Sequence, residues 1–318
     1  MTDSSLLIIH QGALGDVVMT FPALIALRKK FGRIDMLCQG QLGKLAAGLG
    51  LVAKAYPLEA AYVATLFSKP VDKKIKIILA AYSTILLFTF ASDLKKNIGQ
   101  ISNGRCFQIP PRPPVREKIN VTEFIFKNLF NCGLLEACNS DDRHFTRQAR
   151  LFPDTARPVD SLKIFIHPGA GSIRKRWPLA RFLELADILK KKGLRPGFIC
   201  GPAEQDLADE FAKQNRPIHV LSELTDLADL LESAGGYVGN DSGVSHLASF
   251  LGLPSVVIFG PTDPLRWRPP GARVEIVRPE LDCNPCFEIE PENCPEPRCL
   301  TDVSVETVAR AFERAYQG

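Results

Sequence analysis

The chain has 318 residues, more than one hydrophobic core usually holds, so two domains are expected. Its composition, 46% hydrophobic and 23% charged, excludes a disordered, collagen-like or multi-span membrane protein. A net charge of +4 is too mild to argue for nucleic acid, and no nucleic-acid partner is expected.

The charge is unevenly spread. Residues 1–155 carry 20 Lys and Arg against 12 Asp and Glu, a balance of +8; the rest carry 19 against 23, a balance of −4. Such asymmetry suits an anionic partner for the first half, although an uneven solvated surface gives the same count. The apolar run Ile77–Ser92, 16 uncharged residues, is too short to span a bilayer. With Asp3 and no basic segment before the first apolar run, the start does not read as a secretory signal, and a cytoplasmic chain is expected.

In chain order, strand-like and helix-like segments alternate, the pattern of parallel α/β layers. Leu6–Ile9 reads as a strand, followed by the loop Gln11-Gly12-Ala13-Leu14-Gly15. A helical pattern then places Val17, Val18, Phe21, Leu24, Ile25 and Leu27 near one face, and Pro22 is expected to interrupt it. Ile34–Leu37 reads as a second strand and Ile75–Ala80 as another, the long apolar run being a buried strand plus the start of a helix. An interfacial membrane patch is the alternative for that run. Ile109–Pro114 is a proline-rich loop, and Phe152–Pro158 reads as a linker.

Beyond the linker the pattern restarts. Leu162–Ile166 is a strand, and a helix opens at Pro178 and stops before Gly193. Strand Pro196–Cys200, helix Glu204–Gln214, strand Ile218–Leu221 and helix Asp226–Ala234 follow. Tyr237-Val238 leads into Gly239–Gly243, then a helix to Leu251 and strand Ser255–Phe259. Val303, Val305, Val308 and Phe312 mark a last amphipathic helix. Ile9-His10-Gln11-Gly12-Ala13 and Ile166-His167-Pro168-Gly169-Ala170 open the two halves alike, pointing to duplicated architecture. Neither loop is a full G-x-G-x-x-G, which weakens a NAD-dependent oxidoreductase reading.

Ligands of open parallel sheets bind beyond the carboxyl ends of strands. There, Asp16 opens a helix, where it can cap or serve as a general base. Gly171, Ser172, Arg174, Lys175 and Arg176 combine small residues with three cations before a helix, a pattern suited to a diphosphate. Asp241, Ser242 and Gly243 open another helix, with His246 one turn in, either as caps or as anion contacts. Cys283-x2-Cys286-x7-Cys294-x4-Cys299 admits a structural zinc, against which stand reduced thiols in a loop.

Taken together these blocks resemble glycosyltransferase family 9, the ADP-heptose:lipopolysaccharide heptosyltransferases. The matching pieces are Gly12–Val18 with Pro22-Ala23-Leu24, His167–Ala170 with Lys175–Pro178 and Arg181-Phe182, Gly239–Gly243 with His246-Leu247-Ala248, and Phe259–Pro264. They run along the whole chain and are thin between Gly40 and Arg150. The resemblance implies an α/β GT-B fold, two Rossmann-like domains facing across a cleft. The first, 1–157, would bind the acceptor and the second, 158–318, the nucleotide-sugar, with the last helix (about 303–316) packing back on the first domain.

It further implies Asp16 as catalytic base and Lys175 on the donor diphosphate. Gly171, Ser172, Asp241, Ser242, Gly243 and His246 would line the donor site, with Glu204 near its nucleoside. His10, Gly12 and Gly15 would lie on the acceptor side, His10 standing where the family commonly has arginine. The implied reaction inverts a heptose from ADP-heptose onto a lipopolysaccharide inner core, with no cofactor required. An anionic glycolipid acceptor implies peripheral contact with the inner membrane. A GT-B transferase with another nucleotide-sugar or acceptor and a non-catalytic sugar-nucleotide-binding paralogue are the alternatives.

Overall fold

The computed structural model describes residues 4–68, 70–136, 159–213, 216–289, 294 and 297–317. The predicted linker Phe152–Pro158, and with it the boundary after residue 157, lies outside the described residues. The chain divides into two units. One contains the residues up to Pro114 and the helix that follows from Val121; the other contains Val115–Asn120 and everything from the sixth strand onward. Residues 115–120 thus group with the second unit, although the sequence reading places them in the first.

The first unit runs β1 (Ser5–His10), α1 (Leu14–Leu27), β2 (Arg33–Cys38), α2 (Gly40–Gly48), β3 (Lys54–Pro57), α3 (Ala61–Ala64), α4 (Lys73–Ala80), β4 (Thr84–Phe88), α5 (Ser92–Gly99), β5 (Arg105–Ile109) and α6 (Val121–Asn131). Its sheet is parallel throughout, ordered β3-β2-β1-β4-β5. The continuous apolar run of β1 and β4 reflects burial on both faces, as covered parallel strands require.

Two expectations are corrected here. Pro22 sits inside α1 without ending it. The lost donor and ring crowding cost about 3 kcal/mol. Burying Val17, Val18, Phe21 and Leu24, at roughly 1.5–3 kcal/mol each, outweighs that. Ile75–Ala80 is helix, and the strand comes after it. Ile75, Ile78 and Leu79 are buried at helical spacing while Ile77 is 61% exposed, and the Asp72 carboxylate caps α4 by accepting from Lys74 N at 2.7 Å.

The second unit runs β6 (Asp160–His167), α7 (Leu179–Lys191), β7 (Arg195–Cys200), α8 (Gln205–Lys213), β8 (Ile218–Val220), α9 (Leu224–Glu232), β9 (Ala234–Asn240), α10 (Gly243–Phe250), β10 (Ser255–Ile258), α11 (Pro264–Trp267), β11 (Val274–Val277), α12 (Arg298–Thr301) and α13 (Val305–Gln317). Its parallel sheet is ordered β11-β10-β9-β6-β7-β8, the Rossmann order with β6 as first strand. Pro178 stands at the N-cap of α7, and Gly193, at φ +82, follows its end, as a left-handed residue should.

The last helix belongs to the second unit. Val305, Val308, Ala309, Ala311 and Phe312 of α13 join the second unit's own core with Ile164, Val238 and Val256. The close fit at Gly236, where a Cβ would come within 2.8 Å of the Phe312 ring, shows how directly α13 sits on this sheet. Among the described residues, no helix is long and apolar enough to cross a membrane.

Candidate functional site

Strand order reverses between β1 and β4 in one sheet and between β6 and β9 in the other. The loops leaving those strands therefore open onto the crevice where such sheets hold ligands. The predicted site residues lie at the end of β1, on these loops or in the first turn of the helices they enter, with Glu204 just after β7.

In the first unit, Asp16 lies in the first turn of α1, and its Oδ2 accepts from Ala13 N at 3.2 Å. It therefore caps, and it stays half-buried, within reach of the crevice. Gly12 is required by contact: a Cβ there would stand 2.7 Å from both Asp16 Cβ and His10 Cε1. Gly15 is the second residue of α1 and half-buried. Across the reversal, Thr89 Oγ1 donates to Gln11 Oε1 at 2.8 Å, tying the loops after β1 and β4 together.

His10 is fully buried at the end of β1, its ring centroid 5.3 Å from that of Phe88. Its Nδ1 accepts from Gly12 N at 3.0 Å, which puts the neutral ring's proton on Nε2. Burial pushes its pKa down to about 3. Being uncharged, it cannot supply the cation that arginine would. In the unfolded chain His10 binds a proton near pH 6.5 and in the fold only near 3, so stability must fall as pH drops through that window. Between pH 4 and 6, His10→Asn is expected to flatten the stability slope by about 1.4 kcal/mol per pH unit. Denaturant unfolding at several pH values checks this, and equal slopes would refute it.

In the second unit the geometry converges. Lys175 Nζ lies 2.9 Å from Asp241 Oδ2, with side chains 18% and 4% exposed. Lys175 ends a single helical turn, Ile173–Lys175, which Ser172 caps by accepting from Arg174 N at 3.3 Å. His246 Nε2 stands 3.8 Å from Asp241 Oδ1, and its Nδ1 is buried with no hydrogen-bond partner among the described residues. Burial alone would raise the Asp241 pKa, but the His246 imidazole and the Lys175 charge outweigh it and hold the carboxyl at about 2. Ser242 is the N-cap of α10, its Oγ accepting from Ser245 N at 3.3 Å, and Gly243 is the first helical residue. Gly171 is exposed, and a side chain there would meet nothing within 4 Å.

Glu204 is buried beside this cluster. Its Oε2 accepts from Gly201 N at 2.7 Å and lies 3.8 Å from His167 Nε2. Burial would raise this carboxyl, but the His167 imidazole and the Gly201 amide bring it below the usual range. Gly169 packs closely on it: a Cβ there would stand 2.2 Å from Glu204 Oε1 and displace that carboxylate.

Two further side chains hold this cluster together. Asn240 pins the site together: its Nδ2 donates to Pro168 O at 2.8 Å, and its Oδ1 accepts from Trp177 N at 2.9 Å. His167 bridges Glu204 to Ser242, whose Oγ lies 3.5 Å from Nδ1. The only signal for either was its place within a motif block. The four cysteines Cys283, Cys286, Cys294 and Cys299 line one cavity of about 510 Å³. Among the described residues, no group of three or more His, Cys, Asp or Glu side chains is placed to hold a metal ion.

Two parallel α/β units with these sheet orders form the GT-B fold, which the solved heptosyltransferases share. The chain belongs to glycosyltransferase family 9, the heptosyltransferases, whose pattern matches residues 134–295. It is 25% identical over 329 residues to lipooligosaccharide heptosyltransferase 2 of Campylobacter jejuni (strain 81116), covering 95% of this chain and 96% of that one. With lipopolysaccharide heptosyltransferase 3 of Escherichia coli K12 the identity is 34% over 113 residues, and the match spans only 33% of either protein. The fold is shared with E. coli heptosyltransferase WaaC, solved with ADP, at a TM-score of 0.71 and 19% identity over 98% of this chain and 99% of that one.

Proposed function

We propose that this chain transfers a heptose from ADP-heptose to a lipopolysaccharide inner-core acceptor, inverting the anomeric carbon and requiring no cofactor. The observation that carries the reading is the Lys175–Asp241 pair, 2.9 Å apart, at the head of α10 with His246 beside it. Its cation and the free N–H groups of the helix start suit the diphosphate of a nucleotide-sugar. That E. coli WaaC was solved with ADP and with ADP-2-deoxy-2-fluoro heptose supports ADP-heptose as the donor.

In this reading Asp16 takes the proton of an acceptor hydroxyl as that oxygen forms its bond to the anomeric carbon. The bond from that carbon to the diphosphate breaks on the opposite face, and the electron pair leaves with ADP. Lys175 and the amides opening α10 meet the charge that develops there. Glu204 contacts the donor nucleoside, with Gly171, Ser172, Asp241, Ser242, Gly243 and His246 around the phosphates and sugar. The acceptor, an anionic glycolipid, is assigned to the first unit, whose half of the sequence carries the +8 balance. The enzyme then works in the cytoplasm, in peripheral contact with the inner membrane.

Lys175→Ala is expected to weaken ADP binding about tenfold to a hundredfold, the loss of one charge-assisted contact. Calorimetry checks it, with thermal unfolding run alongside because Asp241 remains buried. Unchanged affinity would remove Lys175 from the donor site.

A further inference from the structure

We propose that Phe287 is a positioning residue of the donor site: its ring is the platform that holds the Lys175 ammonium against Asp241. Lys175 Nζ lies 4.5 Å from the Phe287 ring centroid, and the Arg174 guanidinium carbon lies 5.7 Å from it. Both are within the roughly 6 Å over which a cation is attracted by an aromatic face. The same ammonium is 2.9 Å from Asp241 Oδ2, so it has a carboxylate and a π-face as neighbours. A lysine stem is flexible, and one ion pair leaves it several rotamers. A second, apolar neighbour that attracts the charge without competing for its hydrogen bonds narrows that choice.

The platform is itself held firmly. Cys286 N and Phe287 N both donate to Pro261 O, at 2.9 and 3.0 Å. On the other side, Glu288 accepts from Arg266 Nε at 2.9 Å and from Trp267 Nε1 at 3.1 Å. Arg174 Nη2 also reaches Cys286 Sγ, 3.9 Å away. Phe287 is therefore fixed through both neighbours, and the cysteine-bearing segment gains a role: it carries an aromatic ring to the lysine. Packing alone would be served by any apolar side chain of similar size, whereas the cation contact needs the ring.

This rests on Lys175 meeting the donor diphosphate, and the test separates the two ideas. ADP affinity and donor KM are measured for Phe287→Leu, Phe287→Tyr, Lys175→Ala and the Phe287→Leu/Lys175→Ala double variant, with thermal unfolding of each. Expected are a loss of about threefold to thirtyfold in ADP affinity for Phe287→Leu and recovery to within about twofold for Phe287→Tyr. In the double variant the leucine should add nothing to the loss from Lys175→Ala, because the ring acts through that lysine. Parental affinity in Phe287→Leu, no recovery in Phe287→Tyr, or multiplied losses in the double variant would each overturn the platform while leaving the donor site in place. An unchanged affinity in Lys175→Ala would overturn the donor-site reading, and the platform with it.

Discussion

Replacing Asp16 by alanine is expected to lower sugar transfer by about 10²–10⁴-fold while leaving ADP affinity near that of the parent. The side chain has two roles to separate. As a cap it accepts from Ala13 N, and losing a cap costs about 1 kcal/mol of stability. A folded variant that has lost only a cap has no reason to be a hundredfold slower. Asp16→Asn sharpens the contrast, because an amide oxygen still accepts from Ala13 but cannot take a proton. Both variants should therefore bind ADP, keep their unfolding midpoints within a few degrees and fail in transfer. Steady-state rates beside calorimetry decide it, and a parental rate in Asp16→Asn would reduce Asp16 to a cap. Gly12, whose missing side chain leaves room for both Asp16 and His10, keeps that carboxylate where it is.

Several strands of both sheets are legible in the sequence because buried parallel strands are apolar on both faces, as in Leu6–Ile9 and Ser255–Ile258, whereas β3, β4, β5 and β11 are not. Reading failed where hydrophobicity was counted without its period. Ile75–Ala80 lies in a long apolar stretch, yet Asp72 as a cap and the outward Ile77 mark a helix. Pro22 breaks a helix by local rules, and the burial around it outweighs them. The last helix was correctly seen as amphipathic, but its pattern does not say which sheet covers its apolar face.

The site divides in the same way. Asp241 and Ser242 stand where β9 enters α10 and Lys175 in the segment between β6 and α7, so their placement follows from topology, and the fold brings Lys175 to Asp241 across the β6–β9 reversal. Glu204 also arrives beside the cluster, through His167. Phe287 and Glu288 lie far along the chain from Lys175, in a stretch whose cysteine spacing admits a metal. No spacing rule links residues so separated; only the tertiary fold places the ring at the ammonium.

Glu288→Ala is expected to destabilise the second unit by about 3–5 kcal/mol, the cost of removing one partner from a buried ion pair. The Arg266 side chain is 2% exposed and that of Glu288 17%, with Arg266 Nε and Nη2 at 2.9 and 3.3 Å from the two carboxylate oxygens. Arg266 Nη1 also donates to Glu117 O at 2.6 Å, a neutral contact that cannot replace the lost counter-charge. Trp267 Nε1 loses its acceptor in the same step. Glu288→Gln, which keeps an acceptor for the indole but no charge, should fall between parent and alanine. Arg266→Met combined with Glu288→Leu should recover much of the loss, since apolar replacement of both partners removes the uncompensated charge. The exposed pair Arg298–Asp302, 63% and 38% exposed, provides the contrast: Asp302→Ala should shift the unfolding midpoint hardly at all. Denaturant unfolding followed by tryptophan fluorescence measures the series, and parental stability in Glu288→Ala would show that Arg266 does not depend on this carboxylate. Because Glu288 directly follows Phe287, the alanine variant should also loosen the ring and weaken ADP binding, linking the stability of this buried pair to the donor site.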